Sequence, residues 1–291
     1  MKFCQYLDSQ LSRIQCDNRS FIAKLNVFND IFKNVDEITF SRWRNGRATP
    51  TLKKQLLINK KLGNSVEYFI NNITLPKSSK TFADKLKRIF KKDYSYNSID
   101  YFSSRNNSIE MSSNHNRKIE EIIYNFCNLF SVYQDNTKLL DILKSSDTKF
   151  LYVKSPILSV PSSHTAITRF RKALHTDITV FEEGAYFIHI SYYRTSIDFR
   201  FLVAYLLVHI YRDIDLNSNI YFLSRNKYFL DIYAEHNSTL IFSQKNSDSG
   251  FDAYGLYKVK LIDLLSKSNV AQDCQVVEQA ILDNDFSDIL L

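Results

Sequence analysis

The sequence is poor in glycine and proline, with five glycines and four prolines among 291 residues. A loop that cradles a phosphate needs glycine, because a backbone without Cβ atoms can bring several N–H groups close to the phosphate oxygens. The chain contains neither the P-loop motif nor the GxGxxG motif. The sequence therefore excludes the P-loop and Rossmann classes of nucleotide-binding protein.

Metal-ligand patterns are missing as well. The four cysteines and six histidines are scattered along the chain, without CxxC, HxxxH or mixed Cys/His spacing. We therefore predict no metal site and no cofactor, and we interpret the cysteines as reduced thiols. His189 lies in an apolar segment and is predicted to belong to the core. The cysteines are Cys4, Cys16, Cys127 and Cys274.

Long apolar runs do not occur. The longest, residues 201–208, is much shorter than the roughly 20 residues that a membrane-spanning helix needs. The first 30 residues lack the pattern of a signal peptide. These features predict a cytoplasmic protein that does not enter a membrane.

Charge is distributed unevenly along the chain. Residues 1–93 contain 19 Lys and Arg against 8 Asp and Glu, a balance of +11. The remaining residues, 94–291, contain 19 basic and 23 acidic residues, a balance of −4. This asymmetry favours a basic half that binds a polyanion, joined to a nearly neutral half. A solvated basic surface without a partner is the alternative.

The first 75 residues predict a helical domain. Apolar side chains recur at helical spacing in residues 3–14 and 20–33, and short helices follow at 37–44, after Thr49 and at 65–70. Asp36 and Thr49 are the expected N-caps, and Gly46 and Gly63 the expected ends. Val35, Ile38, Phe40 and Trp43 are predicted to face the core.

This segment resembles the lambda-repressor-like, XRE-type helix-turn-helix family. The resemblance is carried by Val35, by Thr39–Trp43, by Asn45-Gly46, by Pro50 and Leu52, and by Leu62-Gly63. It implies a domain that binds double-stranded DNA with helix 37–44 in the major groove. The implied contact residues are Thr39, Ser41, Arg42 and Arg44 on the helix, and Asn45, Arg47 and Thr49 on the loop that follows. A protein-interaction version of the same fold is the alternative.

Residues 76–117 are expected to join two domains. Residues 81–92 form a basic amphipathic helix, which can pack through Phe82, Leu86 and Phe90 or reach phosphate through its lysines. Residues 93–117 are rich in Ser and Asn and have no sustained apolar period. They are predicted to be a linker or a long loop.

Residues 118–291 predict an α+β domain. Helices are expected at 118–133, 139–143, 166–174, 199–211, 227–235 and 275–282. Strands are expected at 150–153, 220–223, 240–243 and 257–261, with a hairpin of strands 178–181 and 186–193 about Gly184. The helix at 199–211 is apolar nearly all round and is therefore predicted to be buried.

The order of elements after Ile178 resembles the back half of the GNAT acyltransferase fold. The resemblance rests on residues 220–224 followed by Asn226, and on Tyr233 six residues before the strand that starts at Thr239. It implies that Tyr233 occupies the position of the acid that protonates the leaving thiolate. The segment 194–200, where the resemblance places the pyrophosphate of coenzyme A, has no glycine, and Asp198 is expected to repel phosphate.

Two functions follow from these patterns. The main prediction is a sequence-specific transcriptional regulator with a C-terminal sensing or oligomerisation domain, in which no enzymatic activity is expected. The alternative is a DNA-binding, GNAT-like acyltransferase. A homodimer through residues 118–291 is expected, because one short recognition helix reads too few base pairs to select a site. An unknown small molecule or protein is a further possible partner.

Overall fold

A computed structural model of the chain describes residues 1–76, 80–92, 108–113, 147–154, 163–176, 178–193, 195–224, 237–244 and 254–286. Its N-terminal part is helical, and the five helices predicted in the first 75 residues are present. The helices are α1 (Phe3–Arg13), α2 (Asn18–Phe28), α3 (Glu37–Arg44), α4 (Leu52–Lys61), α5 (Val66–Asn72) and α6 (Lys80–Lys92).

Side-chain caps fix where these helices begin. Asp36 Oδ1 accepts a hydrogen bond from the backbone N–H of Thr39 at 2.7 Å, as predicted. Helix α4 begins later than predicted, because Pro50 stays outside it and Thr51 provides the cap. Thr51 Oγ1 accepts from the N–H of Lys54 at 3.4 Å, so the prediction of Thr49 as the cap is wrong.

Helix α3 buries one narrow face. Phe40 is fully buried and Trp43 nearly so, as predicted, and Val35 packs in the same core. Ile38, however, is 64% exposed, so its predicted inward position is wrong. At 100° per residue, Ile38 is turned about 200° away from Phe40, which places it on the opposite side of this eight-residue helix.

The C-terminal part is built on a mixed sheet, so the expected α+β class is confirmed there. The sheet order is β1-β2-β3-β6-β7-β9-β8, and β4 and β5 form a separate pair. The strands are β1 (Ser108–Ser113), β2 (Thr148–Lys154), β3 (Ser163–Arg169), β4 (Leu174–His175), β5 (Val180–Phe181), β6 (Tyr186–Tyr192), β7 (Asn219–Ser224), β8 (Thr239–Gln244) and β9 (Tyr254–Lys260).

One pair of neighbours, β6 and β7, is parallel, whereas the other described pairs are antiparallel. A parallel pair needs a crossover connection, and helix α7 (Ser196–Tyr211) supplies it. Most side chains of this helix are buried, so the buried helix predicted at 199–211 is confirmed. Two further helices, α8 (Leu261–Leu265) and α9 (Ser268–Asp283), follow β9.

Several predictions in this part are wrong. Residues 108–113, expected in the linker, form β1 and pair with β2. Residues 166–174, expected to form a helix, instead include the end of β3 and the first residue of β4. The expected hairpin does not form, because β5 pairs with β4 while β6 pairs with β3. The predicted helices 118–133, 139–143 and 227–235 lie outside the described residues.

The sheet has an apolar core on each face. Helix α7 packs on one face with Ile188, Ile220 and Phe222. On the opposite face, Phe181 lies at the centre of a smaller aromatic cluster, 4.6 Å from Phe170 and 4.9 Å from Tyr221 between ring centroids. Alternate residues of β6 and β7 therefore serve different cores, as the two-residue period of a strand requires.

The N-terminal helices pack on the C-terminal part rather than standing apart from it. Buried residues of helices α1 to α6 and of α7 to α9 belong to one continuous apolar core. Lys53 of α4 donates to Asp263 of α8 at 2.6 Å, and Gln275 of α9 donates to the carbonyl oxygen of Ile70 at 2.7 Å. Part of the positive charge of residues 1–93 is therefore neutralised within the chain.

Candidate functional site

The residues predicted to contact DNA lie in helix α3 and the loop after it. Thr39 and Ser41 are half-buried, and Asn45 Nδ2 donates to Ser41 Oγ at 3.2 Å. Arg44 forms an ion pair with Asp8 and donates to Asn18 at 2.7 Å, so it links α3 to α1 and to the start of α2. The exposed members of the set are Arg42, Asn45, Arg47 and Thr49.

A second candidate site lies where β6 and β7 separate. The two strands are in register from Tyr186 and Ile220 to Ile188 and Phe222, and the pairing ends there. Each strand nevertheless continues with its outer partner, β6 to Tyr192 along β3 and β7 to Ser224 along β9. The described pairing of β6 with β7 therefore ends before the carboxyl ends of the two strands, and we call this place the strand gap.

Helix α7 begins directly beside the strand gap. Thr195 follows β6 by three residues, and its Oγ1 accepts from the N–H of Asp198 at 3.0 Å. The N–H groups of Ser196 and Ile197 precede the first intrahelical bond and have no acceptor within the described ranges. The positive end of a 16-residue helix thus lies at the mouth of the gap.

Asp198, the third residue of α7, is buried in the first turn of this helix. Its Oδ2 atom accepts from the hydroxyl of Ser163 at 2.5 Å. The carboxylate is therefore held against β3 by a charge-assisted hydrogen bond. The expected repulsion of phosphate by Asp198 stays a prediction, because a buried charge is screened less than an exposed one.

Polar side chains follow β3 and β6 toward the gap. Thr165 and Ser191 share a hydrogen bond of 2.7 Å across the two strands. His189 is fully buried, as predicted, and its Nε2 lies 2.8 Å from the hydroxyl of Thr168, which in turn lies 2.7 Å from the hydroxyl of Thr148. His189 directly follows Ile188, the last residue of β6 that pairs with β7.

Sequence reasoning placed His189 in the core and attached no function to it. Its position at the start of the gap depends on the register of β6 against β7, and no local sequence signal encodes that register. Tyr233, the acid implied by the acyltransferase resemblance, lies outside the described residues.

Two further features of the described residues concern metal sites and membrane-spanning helices. Within the described ranges, no group of three or more His, Cys, Asp or Glu side chains is arranged to hold a metal ion. Cys4, Cys16 and Cys274 are free thiols, and burial raises the pKa of Cys274. Among the helices that the structure describes, none has the length and apolar character needed to span a bilayer.

Comparison with known proteins gives two named structural likenesses. No protein-family model matches the chain, and no curated protein matches it. FeeM, an N-acyl amino acid synthase from uncultured soil microbes, is 8% identical, with a TM-score of 0.39 over 57% of this chain and 98% of FeeM. Aminoglycoside 6′-acetyltransferase type Ii is 11% identical, with a TM-score of 0.33 over 53% of this chain and 97% of that one.

Both named structures are acyltransferases by their names. The fold corrects the expectation of a DNA-binding, XRE-type helix-turn-helix transcription regulator, which placed a basic domain on a flexible linker. The N-terminal helices share one core with the C-terminal part, and Lys53 and Lys60 are paired with Asp263 and Asp215.

Proposed function

We propose that the C-terminal part of this chain binds the acyl thioester of a phosphopantetheine carrier, such as an acyl-coenzyme A, in the strand gap and transfers its acyl group to an acceptor. The observation that carries the proposal is the loss of pairing after Ile188 and Phe222, while both strands continue. Crevices at the carboxyl ends of neighbouring parallel strands are favoured ligand sites in sheets with helical crossovers.

The backbone of the gap suits a pantetheine arm. Beyond Ile188, β6 is no longer in register with β7. An extended ligand with amide groups can lie along a strand as an added strand does. The pantetheine arm is extended and contains two amides, so it matches such a strand chemically.

The start of helix α7 suits the phosphate groups of the carrier. The free N–H groups of Ser196 and Ile197 and the helix dipole favour an anion at this position. The carboxylate of Asp198 is buried and is held by the hydroxyl of Ser163. An anion at the mouth of the gap would then direct the extended arm between β6 and β7.

Acyl transfer also requires proton transfer. The nitrogen or oxygen atom of an acceptor N–H or O–H group attacks the thioester carbonyl carbon, and the C–S bond breaks. The acceptor loses its proton, and the thiolate gains one. His189 is the titratable residue next to the point where the gap opens, and the hydroxyl of Thr168 orients its ring. We assign His189 the role of the base. The ring nitrogen that accepts the proton is the one that carries no hydrogen in the neutral tautomer.

The proposal is tested by binding and turnover with the full-length protein. Ile197, the second residue of α7, is 36% exposed. We expect Ile197→Glu to weaken binding of acetyl-coenzyme A about fivefold relative to Ile197→Gln, because it places a negative charge where phosphate binds. Pantetheine, which lacks phosphate, should bind both variants equally. Calorimetry that shows no binding of acetyl-coenzyme A to the wild-type protein would reject the proposal.

Ligand sensing without catalysis is a second candidate function. The specific observation in its favour is the complete burial of His189, which keeps the proposed base out of contact with solvent. Incubation with acetyl-coenzyme A and a mixture of amine acceptors separates the two functions. Release of free thiol supports a transferase, whereas binding without thiol release supports a sensor.

A further inference from the structure

A cavity lies where the N-terminal helices meet the end of helix α7, and we call it the junction cavity. One wall consists of Lys60 of α4 and residues 64–67, and the other of Tyr211, Arg212 and residues 214–216. Its volume of about 250 Å³ is below the range of roughly 300–1,000 Å³ that is usual for drug-sized ligands, so a smaller ligand is expected. Helix α7 has 16 residues and is about 24 Å long, so the junction cavity and the strand gap lie at its opposite ends.

The walls carry charges of both signs in equal number. Among the described residues that line the cavity, Lys60 and Arg212 are positive, and Glu67 and Asp215 are negative. Lys60 forms an ion pair with Asp215, and Arg212 Nη2 donates to Glu67 Oε1 at 2.8 Å. A ligand with a net charge meets as many like charges as opposite ones here. A zwitterion can place each of its two charges beside an opposite one.

Arg212 and Glu67 both retain hydrogen-bonding capacity. Nη2 makes the contacts of Arg212 with Glu67 and with Glu278, and Nε and Nη1 donate to no atom in the described ranges. Oε2 of Glu67 likewise accepts no hydrogen bond from the residues that the structure describes. The two side chains are 37% and 40% exposed, so a ligand in the cavity can reach them. An unused donor of one charge sign and an unused acceptor of the other thus lie side by side.

The remaining lining residues include three aliphatic side chains, those of Val66, Ile214 and Leu216. Val66 and Leu216 are buried in the protein core, and Ile214 is half-buried. Apolar surface of a ligand that packs on them is removed from water, which favours binding. A ligand without charges would take water from the four charged groups and offer them no hydrogen bond in exchange.

From these features we propose that the junction cavity binds a free α-amino acid with an aliphatic side chain, in its zwitterionic form. The carboxylate accepts a charge-assisted hydrogen bond from Nη1 of Arg212, and the ammonium group donates to Oε2 of Glu67. The aliphatic side chain packs on Val66, Ile214 and Leu216. The bound amino acid contacts α5 and the segment after α7 at once, and it therefore links the N-terminal helices to the C-terminal part.

Three probes of related shape test the two charges of the ligand. L-leucine is the zwitterion, isocaproate lacks its ammonium group, and isoamylamine lacks its carboxylate. In calorimetry with the full-length protein at neutral pH, we expect isocaproate and isoamylamine each to bind about tenfold more weakly than L-leucine. Each of them loses one charge-assisted hydrogen bond. Absence of L-leucine binding, or equal affinities for the three probes, would overturn the proposal.

Glu67→Gln tests the partner of the ammonium group. This variant keeps the shape of the side chain and removes its charge, so L-leucine should bind about tenfold more weakly while isocaproate binds at least as tightly as before. Glu182→Gln is the matched control, because Glu182 is 47% exposed and pairs with Lys258 elsewhere on the surface. The control should leave L-leucine binding unchanged. Unchanged L-leucine binding in Glu67→Gln, or an equal loss in the control, would reject the site.

Arg212→Lys tests the partner of the carboxylate. It should weaken binding of L-leucine and of isocaproate by the same factor and leave isoamylamine binding unchanged. Because Arg212 also contacts the buried Glu278, Ile214→Trp replaces this variant if circular dichroism shows that it is not folded. Ile214→Trp narrows the cavity and should abolish binding of all three probes. Unchanged L-leucine binding in the folded variant would place the ligand elsewhere and reject the site. Ile197→Glu, at the other end of α7, should not affect L-leucine binding, so this test does not depend on the acyl-thioester proposal.

Discussion

Lys53 Nζ and Asp263 Oδ1 are 2.6 Å apart and join helices α4 and α8, although 210 residues separate them in sequence. The side chain of Asp263 is 11% exposed and that of Lys53 37% exposed. This ion pair is thus partly shielded from water. A hydrogen bond between charged groups contributes more in such a place than at a fully exposed surface.

The first prediction concerns this pair. Lys53→Met should lower the free energy of unfolding by about 1–2 kcal/mol, because it leaves the shielded carboxylate of Asp263 without its donor. Lys33→Met is the matched control, since Lys33 pairs with Asp30 at 2.9 Å on an exposed surface. The control should cost less than about 0.5 kcal/mol in urea unfolding. Equal losses for the two variants would contradict a specific role of the Lys53–Asp263 pair.

The second prediction concerns pH and the buried Glu278. This carboxylate accepts hydrogen bonds from Tyr211 and Arg212, and Arg212 also donates to Glu67 at 2.8 Å. Burial raises the pKa of Glu278 above its usual value of 4.5, against the opposing effects of Tyr211 and Arg212. The folded state therefore binds the proton more tightly than the unfolded state does.

The contribution of Glu278 to stability should consequently be fully present below pH 4.5 and decline as pH rises through the raised pKa. Glu278→Gln cannot titrate. The free energy of unfolding of the wild-type protein, measured relative to this variant, should thus fall as pH rises above 4.5 through the raised pKa. A difference that instead rises as pH approaches 4.5 from below, and is constant above it, would show that the pKa is lowered.

The third prediction concerns two glycines that end helices. Gly46 and Gly63 follow α3 and α4 with φ values of +69° and +79°. An alanine at either position should cost about 1–2 kcal/mol, because a side chain disfavours the left-handed backbone. A Cβ atom at Gly46 would in addition lie 3.2 Å from Sγ of Cys4, whereas no atom lies within 4 Å at Gly63.

Gly46→Ala should therefore destabilise the protein more than Gly63→Ala does. Replacing Cys4 by Ala should remove this excess, so that the double variant loses only the backbone contribution. Thermal unfolding of the wild-type protein, of Gly46→Ala, Gly63→Ala and Cys4→Ala, and of the double variant measures the difference. An excess that persists without Cys4 would show that the contact with Sγ is not its cause.

The fourth prediction concerns the hydroxyl chain beside the strand gap. Thr168→Val keeps the shape of this buried side chain but removes the hydroxyl that contacts both Thr148 and His189. The free energy of unfolding should fall by about 1–3 kcal/mol. Thr239→Val, at an exposed position of β8, is the matched control and should be nearly neutral. If the proposed function holds, Thr168→Val should also slow acyl transfer by a larger factor than it weakens binding of acetyl-coenzyme A.

The sequence predicted elements best where a local pattern was strong. Helix α7 was evident because residues 199–211 are almost continuously apolar, and α3 because Asp36 and Gly46 mark its ends. Strand β1 was missed because its sequence, SIEMSS, is mostly polar and lies among Ser and Asn residues. Its partner in the sheet, β2, lies more than 30 residues away in sequence.

The candidate site was less predictable than the fold, because it depends on relationships between distant segments. The gap exists because β6 stops pairing with β7 at Ile188 and Phe222, and both residues lie among other apolar residues of their strands. The buried position of Asp198 likewise depends on Ser163, which lies on another strand. Sequence order suggested an acyltransferase-like fold, but not the position at which its sheet separates. The homodimer stays a prediction, because its proposed helix at 118–133 lies outside the described residues.

The single apolar core shared by the N-terminal helices and the sheet has a thermodynamic consequence. Elements that share one core are expected to unfold together, so a truncated chain would expose the faces of α4, α5 and α6 that are now covered. Binding energy gained anywhere in this cooperative unit raises the free energy of its opening. An occupant of the sheet would therefore slow amide hydrogen exchange in α1 to α5, although it touches none of them.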